Sequence, residues 1–351
     1  MDLIDYLRRA VQDGASDLFI IAGGAVSYKL DGRIRPISRE RVFPQETARL
    51  IGDIYQMADR PMEPYLAAGD DDFSFSMSGL ARFRVNAYRQ RGSMAAVVRV
   101  VSFDIPDYRA LGIPDGVMDL AGVRSGMVVV SGTAGSGKST TQACIIDRIN
   151  RVREAHIITL EDPIEFLHRD QKSIISQREI AIDTADYLSA LRACLRQAPD
   201  VILLGEMRDY ETIRTAMTAA ETGHLVIATL HTRGAVNTID RVIDSFPSVQ
   251  QEQVRVQLAA VLHSVVSQQL LPNNDGGLVP AMELMHMNDA IRNMIRDCKT
   301  YQINNVIQTS LAEGMFPMDR SIMELARVGT ITRETALLYA ENPEQMRRRL
   351  K

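Results

Sequence analysis

The sequence predicts an α/β protein in which a small α+β domain precedes a larger domain built on a mainly parallel sheet. Antiparallel strand patterns with short helices occupy residues 1–101, whereas strands alternate with helices from Met118 onward. A glycine-rich, phosphate-binding motif stands between a strand and a helix of the second region. These three observations predict domains at residues 1–101 and 118–351, joined by a linker at residues 102–117.

Short apolar runs and turn residues define the elements of the first region. Apolar residues at helical spacing predict one helix within residues 3–11 and a second at Gln45–Met57. Asp31-Gly32 favours a tight turn between two strands and therefore predicts a hairpin. The strands predicted for this antiparallel sheet are Asp17–Ile21, Ser27–Leu30, Arg33–Ile37, Phe73–Met77, Leu80–Tyr88 and Ala95–Val101.

The second region begins after a stretch of different character. Between Ser102 and Pro114 the sequence has little periodicity and two prolines, which is typical of a linker. Past Pro247 helices are expected, including one at Gln250–Gln269, and the basic tail Gln345–Lys351 is expected to fray. The strands predicted for the second sheet are Met127–Ser131, His156–Leu160, Ser173–Ser176, Val201–Gly205, Leu225–Thr229 and Leu278–Leu284.

Composition and charge argue against several classes of function before any motif is considered. The 351 residues, 46% hydrophobic and 24% charged, are those of a soluble protein with about two domains. A net charge of −4 gives no general attraction for nucleic acid or anionic lipid. Three widely separated cysteines argue against a zinc ribbon or disulfide framework and indicate a cytoplasmic protein. Because the start is charged and no long apolar run occurs, neither a signal peptide nor a membrane span is expected.

The segment Gly132–Ser139 reads G-x-x-x-x-G-K-S, the pattern of a phosphate-binding P-loop. It follows the apolar run Met127–Ser131 and precedes residues with helical spacing, so backbone N–H groups and a helix N-terminus can surround a phosphate. The alternative is a glycine-rich turn without a ligand. We expect Lys138 to hold the β- and γ-phosphates and Ser139 to bind Mg²⁺. The residues predicted to bind the nucleotide are Gly132, Thr133, Ala134, Gly135, Ser136, Gly137, Lys138, Ser139 and Thr140.

Carboxylates follow two apolar strands of the second region. Val201–Gly205 leads to Glu206, and His156–Leu160 leads into three acids within residues 161–165. We expect both strands to neighbour the P-loop strand, and ligands bind at the carboxyl ends of parallel strands. The acids could then hold Mg²⁺ or orient the water that attacks the γ-phosphate. The alternative is a solvated acidic loop.

A histidine also stands at a strand end. His231 follows the predicted strand Leu225–Thr229, at a position where a side chain could sense the γ-phosphate. A lone histidine is more often structural, so only its position favours a functional role. His224, which precedes the same strand, is a weaker candidate.

Four long motifs occur in a characteristic order: GTAGSGKST, EDPIEF, LRQAPDVILLGEMRD and TAAETGHLVIATLHT. With SDLF and RFRVNAY before them and AIRNMIRD after them, the sequence resembles the secretion ATPase superfamily of type IV pili and type II secretion. Within it, the similarity is greatest to the PilT/PilU-type pilus retraction ATPases and extends over nearly the whole chain. The resemblance implies a PAS-like N-terminal domain, a RecA-like P-loop ATPase domain with a helical C-terminal region, a homo-hexamer, and ATP with Mg²⁺ as cofactors.

The resemblance also implies roles for individual residues. By position, Glu165 is the catalytic glutamate, and Glu206 is the Walker B acid that binds Mg²⁺ together with Ser139. His231 lies in the histidine box of the family. Arg84 and Arg99 match two arginines that the N-terminal domain presents to the nucleotide, where they could neutralise charge in the transition state. The alternative for these two arginines is a pair of surface charges on a β-ribbon.

Family membership would make the chain a cytoplasmic motor at the inner face of the cytoplasmic membrane, reached through the inner-membrane pilus platform protein. ATP hydrolysis would then drive pilus retraction and twitching motility, with the linker as a hinge. SDLF and the C-terminal residues 336–351 are PilU-like, whereas AIRNMIRD and GEMRD are PilT-like. Two interpretations follow, a motor that acts alone and one that assists a paralogous retraction ATPase. Neither nucleic-acid binding nor membrane insertion is expected.

Three other functions fit parts of the sequence. Pilus-extension and type II secretion ATPases share the superfamily, but they commonly carry a four-cysteine metal site, and this chain has three cysteines. A RecA-like nucleic-acid motor conflicts with the negative net charge and the 5% aromatic content. A nucleotide-binding assembly factor that hydrolyses poorly conflicts with the presence of Glu165 and Glu206.

Overall fold

The computed structural model describes residues 2–30, 32–101 and 104–350. They form two compact units, one comprising the residues up to Asp104 together with Ile164–Leu167, the other comprising Ile105–Pro163 and the residues from His168 onward. Each unit contains one sheet with helices against it, and the predicted α/β fold class is confirmed. Within the described part of the chain, no helix combines the length and the apolar character that crossing a bilayer would take.

The first unit is an antiparallel sheet with helices packed on one face. Its strands are β1 (Asp17–Ile20), β2 (Ala25–Leu30), β3 (Arg33–Arg41), β4 (Asp70–Met77), β5 (Ala81–Gln90) and β6 (Ser93–Val101), in the order β3-β2-β1-β6-β5-β4. Its helices are α1 (Leu3–Gln12), α2 (Pro44–Met57) and α3 (Glu63–Ala68). The predicted hairpin is present as the β2–β3 pair, although Asp31 of its turn lies outside the described residues.

Alternation along β5 determines which side chains of this sheet face the helices. Phe83 and Val85 are buried in the core with the apolar faces of α1 and α2. Because successive side chains of a strand point to opposite faces, Arg84 lies on the face away from that core. The strand pairing places Arg84 directly opposite Arg99 of β6. The two arginines are therefore neighbours on one face of the sheet.

The second unit contains a seven-stranded sheet that is parallel except for its last strand. Its strands are β7 (Gly126–Ser131), β8 (His156–Glu161), β9 (Ile174–Glu179), β10 (Val201–Leu204), β11 (Leu225–Leu230), β12 (Leu262–Pro272) and β13 (Leu278–His286), in the order β13-β12-β7-β11-β10-β8-β9. Strands β7, β10 and β11 are almost completely buried because helices cover both faces of the sheet.

Helices of the second unit flank the sheet and continue to the end of the chain. They are α4 (Asp115–Met118), α5 (Lys138–Val152), α6 (Tyr187–Cys194), α7 (Tyr210–Glu221), α8 (Ala235–Asp244), α9 (Ser248–Val261), α10 (Asp289–Arg296), α11 (Ile303–Thr309), α12 (Met318–Arg327), α13 (Arg333–Tyr339) and α14 (Pro343–Arg349). The predicted linker includes Ser102 and Phe103, which lie outside the described residues. Within the same predicted linker, Ile113 and Val117 are buried in the core beneath α5 and so belong to the second unit.

The strand order corrects one expectation about the site. The acid-bearing strands β8 and β10 do not neighbour the P-loop strand β7, because β11 lies between β7 and β10. The six residues of β11 pair along the whole length of β7, from Leu225 opposite Gly126 to Leu230 opposite Ser131. Chain order does not specify strand order, since a crossover can pass over a position that a later strand fills.

Two predictions near the C-terminus were wrong. The helix expected at Gln250–Gln269 ends at Val261, and strand β12 begins at Leu262. The apolar residues of β12 have helical spacing, but a strand buried on both faces produces the same kind of run. The tail expected to fray instead contains α14, which Asn342 caps and in which Met346 is buried.

Candidate nucleotide site

The P-loop joins β7 to α5, and its first and last glycines both have positive φ and are closely approached by a neighbouring strand. Gly132 has φ 150° and Gly137 has φ 84°. A Cβ atom at Gly132 would stand only 2.3 Å from the backbone oxygen of Gln268, and one at Gly137 would stand 2.8 Å from the Gln268 amide nitrogen. Backbone conformation and the close approach of β12 therefore both require glycine here.

Lys138 begins α5 and is bound to the loop that precedes it. Its side chain is buried, and Nζ donates hydrogen bonds of 2.9 Å to the backbone oxygens of Gly132 and Thr133. Thr133, Ala134 and Gly135 are exposed at the tip of the loop. The ammonium group thus stands beside the backbone on which a phosphate would bind, next to the positive end of the α5 dipole.

Other predicted contact residues surround this loop. Ser136 is buried, and its hydroxyl has no hydrogen-bond partner among the described residues. Ser139 and Thr140 are half-buried in the first turn of α5. A cleft of about 590 Å³ opens beside the loop, between residues 133–136, residues 267–270 of β12 and residues 338–341. The structure therefore leaves room at the P-loop for a ligand.

His231 lies next to the start of the P-loop. Leu230, the last residue of β11, pairs with Ser131, the last residue of β7, so His231 and Gly132 leave the sheet side by side. Gly132 N–H donates a 3.3 Å hydrogen bond to the Leu230 oxygen, which holds the two chain segments together. The histidine side chain is 55% exposed and so is accessible to a ligand.

Glu206 contacts His231. The Met207 N–H donates to the Thr229 oxygen at 3.1 Å, and the Thr229 hydroxyl donates to the Gly205 oxygen, so the end of β10 is fixed against β11. As a result, Glu206 Oε2 stands 3.3 Å from Nε2 of His231. The structure thus brings together two of the predicted residues, which are 25 positions apart in the sequence.

Arg208 is a residue of this site that the sequence interpretation missed. Its guanidinium contacts Oε1 of Glu206, and its Nη2 atom stands 3.9 Å from the carboxylate of Asp162. The hydrogen bond to Glu206 raises the pKa of Arg208, so the positive charge is firmly held. Its position two residues after an acid at a strand end was a signal that could have identified it.

The other acids at the end of β8 have different surroundings. Glu161 accepts hydrogen bonds from the hydroxyl of Thr159 at 2.6 Å and from the amide of Gln177 at 3.3 Å. Glu165 is exposed, and its carboxylate has no hydrogen-bond or ion-pair partner in the described ranges of the chain. Of the two, Glu165 is the more exposed, and it lies in the segment Ile164–Leu167 of the first unit.

Arg84 and Arg99 each pair with an acid of their own sheet. Arg84 donates to both carboxylate oxygens of Asp72, at 3.1 and 2.7 Å. Arg99 Nε donates to Oδ1 of Asp17 at 3.0 Å, and Asp17 is buried. The two predicted arginines are thus neighbours, and a carboxylate of the first unit pairs with each of them.

The residues predicted to bind Mg²⁺ have suitable chemistry but do not form a protein cage. Ser139 and Glu206 offer the hydroxyl and carboxylate oxygens that Mg²⁺ prefers. Groups of three or more acidic, histidine or cysteine side chains suited to hold a metal do not occur among the described residues. Mg²⁺ usually keeps several waters and binds through one or two protein oxygens plus nucleotide phosphates, which fits this donor set.

Comparisons with known proteins identify the family of the chain. Residues 2–334 match the family model described as Type II/IV secretion system protein. The chain belongs to this family. It is 43% identical to the "Type IV pilus retractation ATPase PilT" of Pseudomonas aeruginosa, with 98% of this chain and 99% of the relative covered.

Two further relatives place the chain within the Type II/IV secretion family. It is 36% identical to the type IV pilus ATPase PilU of Pseudomonas aeruginosa, with 100% of this chain and 92% of that protein covered. A crystal structure of the pilus retraction motor PilT with bound ADP superposes with a TM-score of 0.90 at 42% identity, covering 99% of both chains. The resemblance predicted from the sequence is confirmed, and with it the assignment of the chain as an ATPase of this family.

Proposed function

We propose that the protein is the ATPase motor of type IV pilus retraction and thereby supports twitching motility. The observation that carries the proposal is the meeting of Glu206 and His231 beside the P-loop, at 3.3 Å. In this proposal Glu206 is the metal-binding acid and His231 the γ-phosphate sensor, and their contact supports a joint role at the P-loop. Relatives that cover nearly the whole chain include a pilus retraction motor with bound ADP, which supports ATP as the substrate.

In this proposal each residue of the site has its own role in ATP hydrolysis. Lys138 holds the β- and γ-phosphates, Ser139 and Glu206 bind Mg²⁺, and Glu165 orients and deprotonates the attacking water. His231 senses the γ-phosphate. The bound Mg²⁺ would neutralise charge that develops on the phosphate oxygens.

Arg84 and Arg99 would stabilise the transition state. For that task they must exchange Asp72 and Asp17 for phosphate oxygens, which carry more negative charge than a single carboxylate. The exchange would couple nucleotide state to the first unit, with residues 102–117 as the hinge. Replacement of Arg84 by alanine should therefore lower kcat much more than it weakens nucleotide binding.

As a motor, the chain would act as a homo-hexamer on the inner-membrane pilus platform protein, at the cytoplasmic face of the membrane. A solution mass of about six times 39.1 kDa in the presence of nucleotide would agree with a hexamer, and a single-chain mass would contradict it. Deletion tests of retraction would also distinguish a motor that acts alone from one that assists a paralogous retraction ATPase.

The catalytic assignment can be tested with Glu165→Gln. The amide keeps the size of the side chain but cannot take a proton, so ATP turnover should fall by about 10²–10⁴-fold while ATP still binds. The matched control is Glu154→Gln, a change at an exposed acid that follows α5. Turnover of Glu165→Gln equal to that of the control would contradict the role of Glu165 as the base.

A further inference from the structure

Strand β12 approaches both ends of the P-loop through a single residue, Gln268. Ser267 of β12 pairs with Ser131 of β7, so Gln268 lies beside the first glycine of the loop. A Cβ atom at Gly132 would stand 2.3 Å from the backbone oxygen of Gln268, and one at Gly137 would stand 2.8 Å from its side-chain amide nitrogen. Gln268 therefore leaves no room for a side chain at either glycine. The main chain and the side chain of this one residue therefore pack against the loop at two points.

The side chain of Gln268 is also bonded to the helix that follows the loop. Its Oε1 atom accepts a 2.7 Å hydrogen bond from the hydroxyl of Thr141, and both residues are buried. Thr141 lies in the first turn of α5, where its N–H donates to the oxygen of Gly137 at 3.0 Å. A buried hydrogen bond of this kind is costly to break, because the remaining polar group is left without a partner.

Residues on either side of Gln268 connect β12 to other segments of the unit. The Ser267 hydroxyl accepts a 2.8 Å hydrogen bond from the N–H of Gly234, in the loop that begins at His231. Gln269 donates from its amide to the oxygen of Tyr339 at the end of α13, at 3.3 Å. Gln268 is thus held in a strand with fixed neighbours and can act as a rigid support.

We propose that Gln268 is a positioning residue for nucleotide binding. It acts through Thr141 and the loop backbone, and it keeps the N–H groups of the P-loop directed at the phosphates. The proposal rests on the function proposed above, in which the P-loop binds ATP. Because pre-organised donors strengthen binding without taking part in the chemical step, loss of the support changes affinity more than turnover.

The test uses two shape-conserving variants, Gln268→Met and Thr141→Val, which remove opposite ends of the same hydrogen bond. Each should weaken binding of a fluorescent ADP analogue about tenfold and raise KM for ATP to a similar extent, with kcat changed by less than about threefold. The double variant should bind no more weakly than either single variant, because the same bond is lost. Thr141→Ser keeps the hydroxyl and should bind as the wild type does.

Gln257→Met and Thr215→Val are the matched controls, since they remove hydrogen bonds on α9 and α7. Wild-type affinity in both Gln268→Met and Thr141→Val would overturn the proposal, whether or not the unfolding temperature changes. Losses that multiply in the double variant would also overturn it. If Lys138→Ala retains full binding, the proposed P-loop site itself fails. If Lys138→Ala loses binding while Gln268→Met does not, only the positioning role fails.

Discussion

At the residue scale, Arg208 supplies the positive charge that the crowded carboxylates beside the P-loop require. It contacts Glu206 directly and approaches Asp162, while His231 occupies the other oxygen of Glu206. Carboxylates this close to one another are unfavourable without a nearby cation. Glu206 is therefore held from two sides, by Arg208 and by His231.

Replacement of Arg208 by alanine should impair the use of Mg²⁺. A metal ligand that loses the partner that orients it typically loses about 10- to 100-fold in metal affinity or activity. The Mg²⁺ concentration needed for half-maximal ATP turnover should rise by that factor. Arg192→Ala, which removes an arginine that stands 3.9 Å from Glu211, is the control and should behave as the wild type. Equal Mg²⁺ dependence in the two variants would contradict this role of Arg208.

Glu283 makes stability depend on pH. It is buried and accepts a 2.7 Å hydrogen bond from the N–H of Ala235, and burial raises its pKa from 4.5 to about 7. Because the folded state holds the proton more tightly than the unfolded chain, this group's stabilising contribution is complete below about pH 4.5. It is lost as the pH rises to about 7.

Glu283→Gln removes this titration. The free energy of unfolding of the variant minus that of the wild type should therefore increase by about 3 kcal/mol between pH 4.5 and pH 8. Denaturant unfolding at several pH values measures the difference. The surface variant Glu313→Gln should show no comparable change. A constant difference between Glu283→Gln and the wild type across this range would exclude the titration of Glu283.

Some residues of the candidate site could be predicted from the sequence alone, and others could not. Glu206 and His231 were recognisable because each follows an apolar strand, and the structure brings them together. Arg208 and Gln268 were not recognised, since their roles depend on which strands and loops become neighbours. Gln268 was additionally hidden by the incorrect prediction of a helix through β12.

At the scale of elements, the position of β11 determines the geometry of the site. Most strand boundaries followed from apolar runs, because a buried parallel strand needs apolar side chains on both faces. Strand order did not follow, since it depends on long-range pairing that no local pattern specifies. By separating β7 from β10, β11 places His231 between the P-loop and the acid at the end of β10.

The interior strand β10 should contribute heavily to stability. All four of its residues are buried between β8 and β11. Ile202→Ala leaves a cavity in this layer and should lower the free energy of unfolding by about 2–5 kcal/mol. Ile174→Ala on the edge strand β9, where the side chain is 63% exposed, is the matched control and should cost less than about 1 kcal/mol. Equal losses in denaturant unfolding would contradict the assignment of β10 to the core.

At the scale of the whole molecule, two compact units carry different parts of the proposed machinery. The second unit contains the P-loop, Glu206 and His231, whereas the first contains Arg84, Arg99 and Glu165. Similarity to a pilus retraction motor extends over 99% of the chain, so both units are shared with that protein. A motor needs such a division, because hydrolysis in one body must change the position of another.

Imaging of labelled pili in living cells tests the central claim most directly. Cells that lack the gene should extend pili but not retract them, and should therefore carry more surface pili. The wild-type gene should restore retraction, whereas the Lys138→Ala gene should not, because the proposed phosphate-binding ammonium is removed. Deleted cells that carry no pili, or retraction restored by Lys138→Ala, would contradict the account.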